Sequence, residues 1–232
     1  MIDGDSQRTR GRLSGQVYET IKERLLDGDY PAGSKLSVET VRAEFGVSKQ
    51  PVMEALRQLA ADGIVEILPQ IGCVVTRYSP QDVVDFFEIF AAFEGAMAGA
   101  AATRSTPADI AVLESTVAAG IARADRDEQT LSPAYRRENR DFHSAVHRIV
   151  ASRIMAESSR RLWDLSDFLI NTTGRPLPLS YVASERHSEH AAIVDAIRLG
   201  DAEAARSIME QHIRSTPALI LGDTAVAATA TS

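Results

Sequence analysis

The sequence predicts a mainly α chain in two parts, a small N-terminal unit of short helices closed by a β-hairpin and a C-terminal antiparallel all-α helical bundle. Three observations predict it. Between Leu36 and Leu59, two short amphipathic segments flank a break at Gly46-Val47. Directly after them, the β-prone runs 64–68 and 73–76 flank the turn-forming Pro69-Gln70-Ile71-Gly72. From Pro80 onward the apolar residues recur at helical spacing as far as residue 221.

Ser37 is an N-cap candidate for the first short helix, in which Val38, Val41 and Phe45 supply the apolar positions. Ser48 is expected to cap the second by accepting a bond from its free N–H groups. There Val52, Ala55, Leu56, Leu59 and Ala60 mark one buried face, and Lys49, Gln50, Met53, Glu54 and Arg57 point the other way. A short capped helix with polar side chains near its N-terminus suits reading base edges in a major groove. The hairpin reads as a two-stranded wing, with Gln70 and Gly72 at a tip where backbone amides can approach phosphates or the minor groove. A generic hairpin closing a small core is the alternative, and the position directly after a helix-turn-helix favours the wing.

The stretch Gly46-Val47-Ser48-Lys49-Gln50-Pro51-Val52-Met53-Glu54-Ala55-Leu56, followed by Leu59-Ala60-Ala61-Asp62-Gly63-Ile64-Val65, resembles the winged helix-turn-helix of GntR-type bacterial regulators. The helices that follow resemble the FCD-type effector domain of the FadR-like branch. Together the two resemblances cover roughly residues 13–220, and they imply a homodimeric regulator of transcription.

Composition permits this reading. A chain of 232 residues can hold two modest domains, and 44% hydrophobic with 25% charged residues is ordinary for a globular protein. No apolar run approaches a membrane span, and the first residues lack the basic-then-apolar order of a signal peptide, so a cytoplasmic protein without a membrane partner is expected. The one cysteine, Cys73, fits a reducing compartment and reads as a small packed residue. The net charge of −7 opposes DNA binding on its face. However, residues 1–77 carry 10 Lys and Arg against 11 Asp and Glu, so the excess acid lies C-terminal.

In chain order, residues 1–12 are polar and expected to form a disordered arm carrying Arg8, Arg10 and Arg12. Leu13, Val17, Ile21 and Leu25 mark a helix that ends at Gly28, and the DNA-binding domain is placed at 13–77. The domain at 78–222 is expected to bind effector and to dimerise. Its helices are predicted at about 81–103, from Pro107 through Asp125, 133–152, 154–171, 184–199 and 202–221, with a loop at 173–178. Residues 223–232 read as a flexible tail.

All five histidines lie in the helical part. Asn139 and His143 share a helix face at i, i+4. His190 falls early in the penultimate helix and His212 late in the last. Packed around one cavity, these four could converge as ligands of a first-row metal, since imidazole suits Zn, Ni or Mn. Spacing alone favours solvated or singly hydrogen-bonded histidines, because no compact H-E-x-x-H motif is present. The family resemblance implies the metal: Asn139…Phe142-His143, His190-Ala191-Ala192-Ile193 and His212-Ile213 are similar to its Asp/Asn, His, His, His signature. By that resemblance the open metal positions bind a small carboxylate, with Phe90, Glu94 and His147 lining the pocket.

Some positions depart from the family pattern. Glu39 and Met53 stand where many relatives place DNA-contacting arginines, and Lys49, in place of arginine, loses the bidentate fork. An unusual operator and a steep salt dependence are therefore expected. Phe90 replaces an arginine that often faces the effector, which favours a ligand with one carboxylate and an apolar body.

The sequence thus points to a DNA-binding regulator, more readily a repressor, on a near-palindromic operator. Ser37, Ser48, Lys49, Gln50, Arg57, Gln70 and Gly72 are its expected DNA contacts. Two alternatives use the same histidines. One is a regulator that senses the metal itself. The other is a metal-dependent hydrolase with Glu138, Asp141 or Glu189 as general base.

Overall fold

The computed structural model describes residues 3–124, 132–172, 179 and 182–222. The chain divides into two compact units. One runs to Tyr78 and takes in residues 167–172; the other begins at Ser79, runs to Ser166 and resumes beyond Leu177. The loop expected at 173–178 and the tail expected at 223–232 lie outside the described residues.

The first unit comprises α1 (Asp3–Leu26), β1 (Lys35–Leu36), α2 (Val38–Phe45), α3 (Lys49–Ala61), β2 (Val65–Leu68) and β3 (Gly72–Val75). Helix α1 starts at Asp3, where the sequence suggested an arm without structure. No proline interrupts it, and the space around Gly11 and Gly15 is open, so these turns extend a helix whose hold on the core comes later. That hold is the buried row Val17, Ile21, Leu25 and Leu26, with α1 packed on α3.

In α2 the Ser37 hydroxyl accepts from the Thr40 N–H at 3.2 Å, as a cap should. Gly46 ends the helix in the left-handed conformation, φ 61°, returning its N–H to the Arg42 carbonyl. Helix α3 buries Pro51, Val52, Ala55, Leu56 and Leu59, with Ala60 only half-buried. Ser48 makes no side-chain cap bond, contrary to expectation. The reason is local. A cap hydroxyl serves the second or third N–H of its helix, and the third residue of α3 is Pro51, which has none.

The hairpin gains a strand that two residues of sequence could not announce. β1 pairs antiparallel with β3, Lys35 opposite Val74 and Leu36 opposite Cys73, which gives a sheet of order β1-β3-β2. β2 and β3 pair from Val65 opposite Val75 to Leu68 opposite Gly72. Leu36, Val65, Cys73 and Val75 face inward, and burial pushes the Cys73 thiol up to about 11, which suits a packed residue and not a nucleophile.

The second unit is an antiparallel helical bundle of α4 (Pro80–Arg104), α5 (Pro107–Ala124), α6 (Ser132–Val150), α7 (Arg153–Thr172, its last residues grouped with the first unit), α8 (Ala183–Arg198), α9 (Ala202–Arg214) and α10 (Thr216–Leu221). A capping box starts α4: the Ser79 N–H donates to the Asp82 carboxylate at 2.9 Å and the Asp82 N–H to the Ser79 hydroxyl at 3.2 Å. This helix is the axis of the bundle, with α6, α8 and α9 packed against it. Its closest neighbour is α9, where a Cβ on Gly95 would collide with the Glu210 side chain. Where one helix was expected over 202–221 there are two. Pro217 sits in the first turn of α10, a place it tolerates, whereas inside a continuous helix it would remove a hydrogen bond and clash with the preceding turn. Among the described residues no helix is long and apolar enough to cross a membrane.

The two serines of the helix-turn-helix separate a working cap from an idle one. Ser37→Ala is expected to lower stability by about 1 kcal/mol, and Ser48→Ala by no more than a few tenths, in urea denaturation against the wild type. Equal losses would mean that Ser48 caps α3 after all.

Candidate functional site

The seven residues expected at DNA are all solvent-exposed in the first unit: Ser37, Ser48, Lys49, Gln50, Arg57, Gln70 and Gly72. Lys49 and Gln50 form the first turn of α3, where backbone N–H groups without helical partners favour an anionic neighbour. Gln70 (φ 64°) and Gly72 (φ 104°) shape the tip of the hairpin. Glu39 is not a bare carboxylate. Arg42 Nη1 lies 2.7 Å from it, so its charge is partly offset one turn along α2.

In the second unit three histidines converge. His143 on α6, His190 on α8 and His212 on α9 are all buried, and each offers one ring nitrogen within 4.8 Å of the others. His190 Nε2 and His212 Nε2 are 3.2 Å apart. His143 Nε2 is buried with no hydrogen-bond partner among the described residues. Burial holds all three imidazoles below their ordinary pKa, well below for His190 and His212, so they are neutral and carry lone pairs. Asn139 lies one turn before His143 and is buried too, its amide oxygen taking the Tyr135 hydroxyl at a long 3.5 Å.

Two carboxylates orient this cluster. Glu94, wholly buried on α4, accepts from His143 Nδ1 at 2.9 Å and from the Trp163 indole N–H at 3.1 Å, with His147 Nε2 2.9 Å away. Burial pushes this carboxyl up, but the bonds from His143 and His147 outweigh burial and leave it at about 2. Glu189 lies 2.6 Å from His212 Nδ1 and is itself held by Arg186 at 3.0 Å. In both pairs the carboxylate fixes the proton on Nδ1 and leaves Nε2 as the donor atom, the arrangement of oriented metal-ligating histidines. The donor set therefore fits a divalent ion, and the orphaned His143 Nε2 is the observation that says so.

The three residues expected to line the effector pocket have different surroundings. Phe90 is completely buried against Phe86, Phe87 and Trp163, and Glu94 is committed to histidines. His147 lines a cavity of about 550 Å³ between facing sides of α6 and α7, to which Ser159 and Trp163 also contribute and Phe90 and Glu94 do not. Phe90 thus fills the core here and does not select a ligand in that cavity. His187 stands apart, 3.8 Å from Glu138.

Comparison with known proteins accounts for both units. Residues 13–75 match the model of bacterial regulatory proteins of the gntR family, and residues 85–215 match that of the FCD domain. The chain belongs to the GntR family of transcription regulators and carries an FCD domain. It is 27% identical over 213 residues to the probable D-xylose utilization operon transcriptional repressor of Paenarthrobacter nicotinovorans, covering 91% of each chain. It is 24% identical over 200 residues to the transcriptional repressor GlaR of Escherichia coli (strain K12), covering 84% of this chain and 90% of that one. The solved structure of E. coli McbR/YncC shares the fold at a TM-score of 0.69 and 19% identity, over 94% of this chain and 97% of that one.

Sequence reasoning about this regulator missed Trp163 and Arg186. Trp163 is the single tryptophan of the chain, and only its packing reveals it as a donor to Glu94. Arg186 is 4% exposed and donates to the His212 carbonyl, Ser215 and Thr216 as well as Glu189. An arginine three residues before a glutamate on one helix face was the available signal, and it is a common surface pattern.

The neutral imidazoles have a consequence for the metal-free regulator. Below about pH 6.5 unfolded histidines take up protons that the buried ones refuse, so the unfolded state gains protons and the fold loses stability as pH falls. Thermal denaturation in chelator should show a steady fall in Tm from pH 7 to pH 5. A further fall is expected only in stronger acid, as Glu94 protonates on the way to its depressed value. A level profile between pH 7 and pH 5 would mean that the buried histidines take up protons as readily as unfolded ones.

Proposed function

We propose that the protein is a cytoplasmic, homodimeric repressor whose operator affinity is set by a small carboxylate metabolite bound at a divalent metal. His143, His190 and His212 would hold the ion, with Asn139 as a neutral fourth donor, and Zn, Ni or Mn suits imidazole nitrogen. The observation that carries this reading is the convergence of three neutral, buried imidazoles on one another, two of them oriented by carboxylates. When bound, the metal supplies a Lewis-acid centre whose free positions attract a carboxylate oxygen. The chain's own part is to present Nε2 lone pairs, to keep the protons on Nδ1 and to exclude water. The metabolite then alters operator binding only to the extent that it binds one arrangement of the protein better than the other.

At the operator, Lys49 and Gln50 are the contacts for base edges or phosphate. Ser37, Ser48 and Arg57 serve the backbone, and the amides at Gln70 and Gly72 serve the wing. A near-palindromic double-stranded site follows from two-fold symmetry. The hydrolase alternative is disfavoured by the carboxylates themselves. Glu189 is engaged by His212 and Arg186, Glu138 lies 2.8 Å from Arg123, and Asp141 is exposed. The metal-sensor alternative uses the same cluster and differs only in what the signal is.

Binding-site selection with the purified protein, followed by gel shift, tests the regulator. Lys49→Ala combined with Gln50→Ala should weaken the selected site at least about tenfold and reduce the salt dependence, with the circular dichroism spectrum unchanged. Undiminished binding would remove α3 from the interface. His143→Ala should abolish stoichiometric zinc uptake while operator binding stays measurable. If chelator alone releases the operator from wild-type protein, the metal is the signal; if release also needs a carboxylate, the metabolite is.

A further inference from the structure

The 550 Å³ cavity between α6 and α7 has a charge that the acidic chain around it does not explain. Arg140, Arg148, Arg153 and Arg160 line it, and no Asp or Glu is among the residues that do. Arg140 is paired with Asp164 at 2.7 Å, and Arg160 with Glu157. No carboxylate of the described residues is set against Arg148 or Arg153, and both are exposed at the rim. The volume is that of a small-metabolite site. Guanidinium forks match the paired oxygens of carboxylates and phosphates, and a wall of one sign without acids concentrates anions.

The floor of the cavity leads to the histidine cluster. His147 and Trp163 both line it, and both touch the same atom, Oε1 of Glu94, at 2.9 and 3.1 Å. The other oxygen of that carboxylate takes the His143 Nδ1 proton. The far side of His147 is fixed as well, its Nδ1 lying 2.7 Å from the Ser159 hydroxyl. A ligand that displaces His147 or Trp163 therefore changes the bonding of Glu94, and with it the orientation of His143.

We propose that this α6–α7 cavity is an anion site for a doubly charged metabolite, carboxylate or phosphoryl, held by Arg148 and Arg153 and wired through His147 and Glu94 to the histidine cluster. It is separate from the carboxylate position proposed at the metal, and it stands whether or not that position is used. Binding at the two sites is coupled, so a metal on the cluster changes affinity for the anion, and the anion changes affinity for the metal by the same factor.

Trp163, as the only tryptophan, reports on the floor directly. The full-length protein is titrated with sulfate and with succinate at constant ionic strength in chloride, and the indole emission is followed. A saturable change with at least one of the two is expected. Tighter sulfate names a phosphoryl ligand, and tighter succinate a dicarboxylate. In Arg148→Glu with Arg153→Glu the affinity should fall at least about tenfold, because like charge replaces the fork, while zinc uptake by the cluster stays stoichiometric. No saturable change with either anion, or an unchanged affinity in the double variant, overturns the site. Repeating the titration with zinc-loaded and metal-free protein should give affinities that differ several-fold, a difference lost in His147→Gln. Equal affinities in the wild type overturn the wiring. Loss of zinc uptake in His143→Ala with sulfate or succinate binding intact would leave this site standing apart from the metal reading.

Discussion

A carboxylate that sees no water governs the helical unit. Glu94 is completely buried on the central helix, and an isolated charge in that position would cost far more than any single contact returns. The fold resolves the difficulty by bringing groups from two other helices to it: His143 on α6 and Trp163 on α7 donate to it, and His147 Nε2 on α6 lies 2.9 Å away. The two donors are in turn fixed by the bonds they give. The position of α6 and α7 against α4, the tautomer of His143 and the floor of the α6–α7 cavity are therefore one problem with one solution.

Glu189 repeats the device on the opposite side of the cluster. Arg186, buried at the base of α8, anchors Glu189 and also ties the end of α9 to the start of α10 through the His212 carbonyl, Ser215 and Thr216. His212 is thus held by its ring and by its backbone from the same guanidinium network. Two oriented imidazoles facing a third make a preorganised donor set, whose protons are already where a metal requires them. Removing either carboxylate would leave a histidine free to flip its tautomer, so these acids matter to the cluster without being ligands.

The first unit meets a different constraint, set by the backbone. Pro51 takes away the N–H that Ser48 would have capped, which leaves both the hydroxyl and the early amides of α3 uncommitted at an exposed helix start. Lys49 there is a compact point charge in place of a planar fork. Arg42 is paired with Glu39 and Arg24 with Glu44, so neither guanidinium is a bare charge beside α3.

Periodicity and punctuation were enough for the sequence by itself to determine the secondary elements. The Gly46 break, the Pro80 and Pro107 positions and the i, i+3, i+4 rows of α3 and α4 are local in origin, so they are legible residue by residue, whereas Pro217 lies within an unbroken apolar row and the two-residue β1 is too short to carry a pattern. The family motifs were equally local and named the fold and the role of the chain. The candidate site was half legible. Its histidines could be named, but whether they met was a matter of residues 143, 190 and 212 on three separate helices. What only the tertiary structure decided is which partner each polar group has: Glu94 with His143, His147 and Trp163, Phe90 in the core, Arg148 and Arg153 beside an acid-free cavity. Those assignments depend on distances between helices far apart in the chain, and on the energetic rule that a buried charge must be satisfied by whatever the packing brings to it.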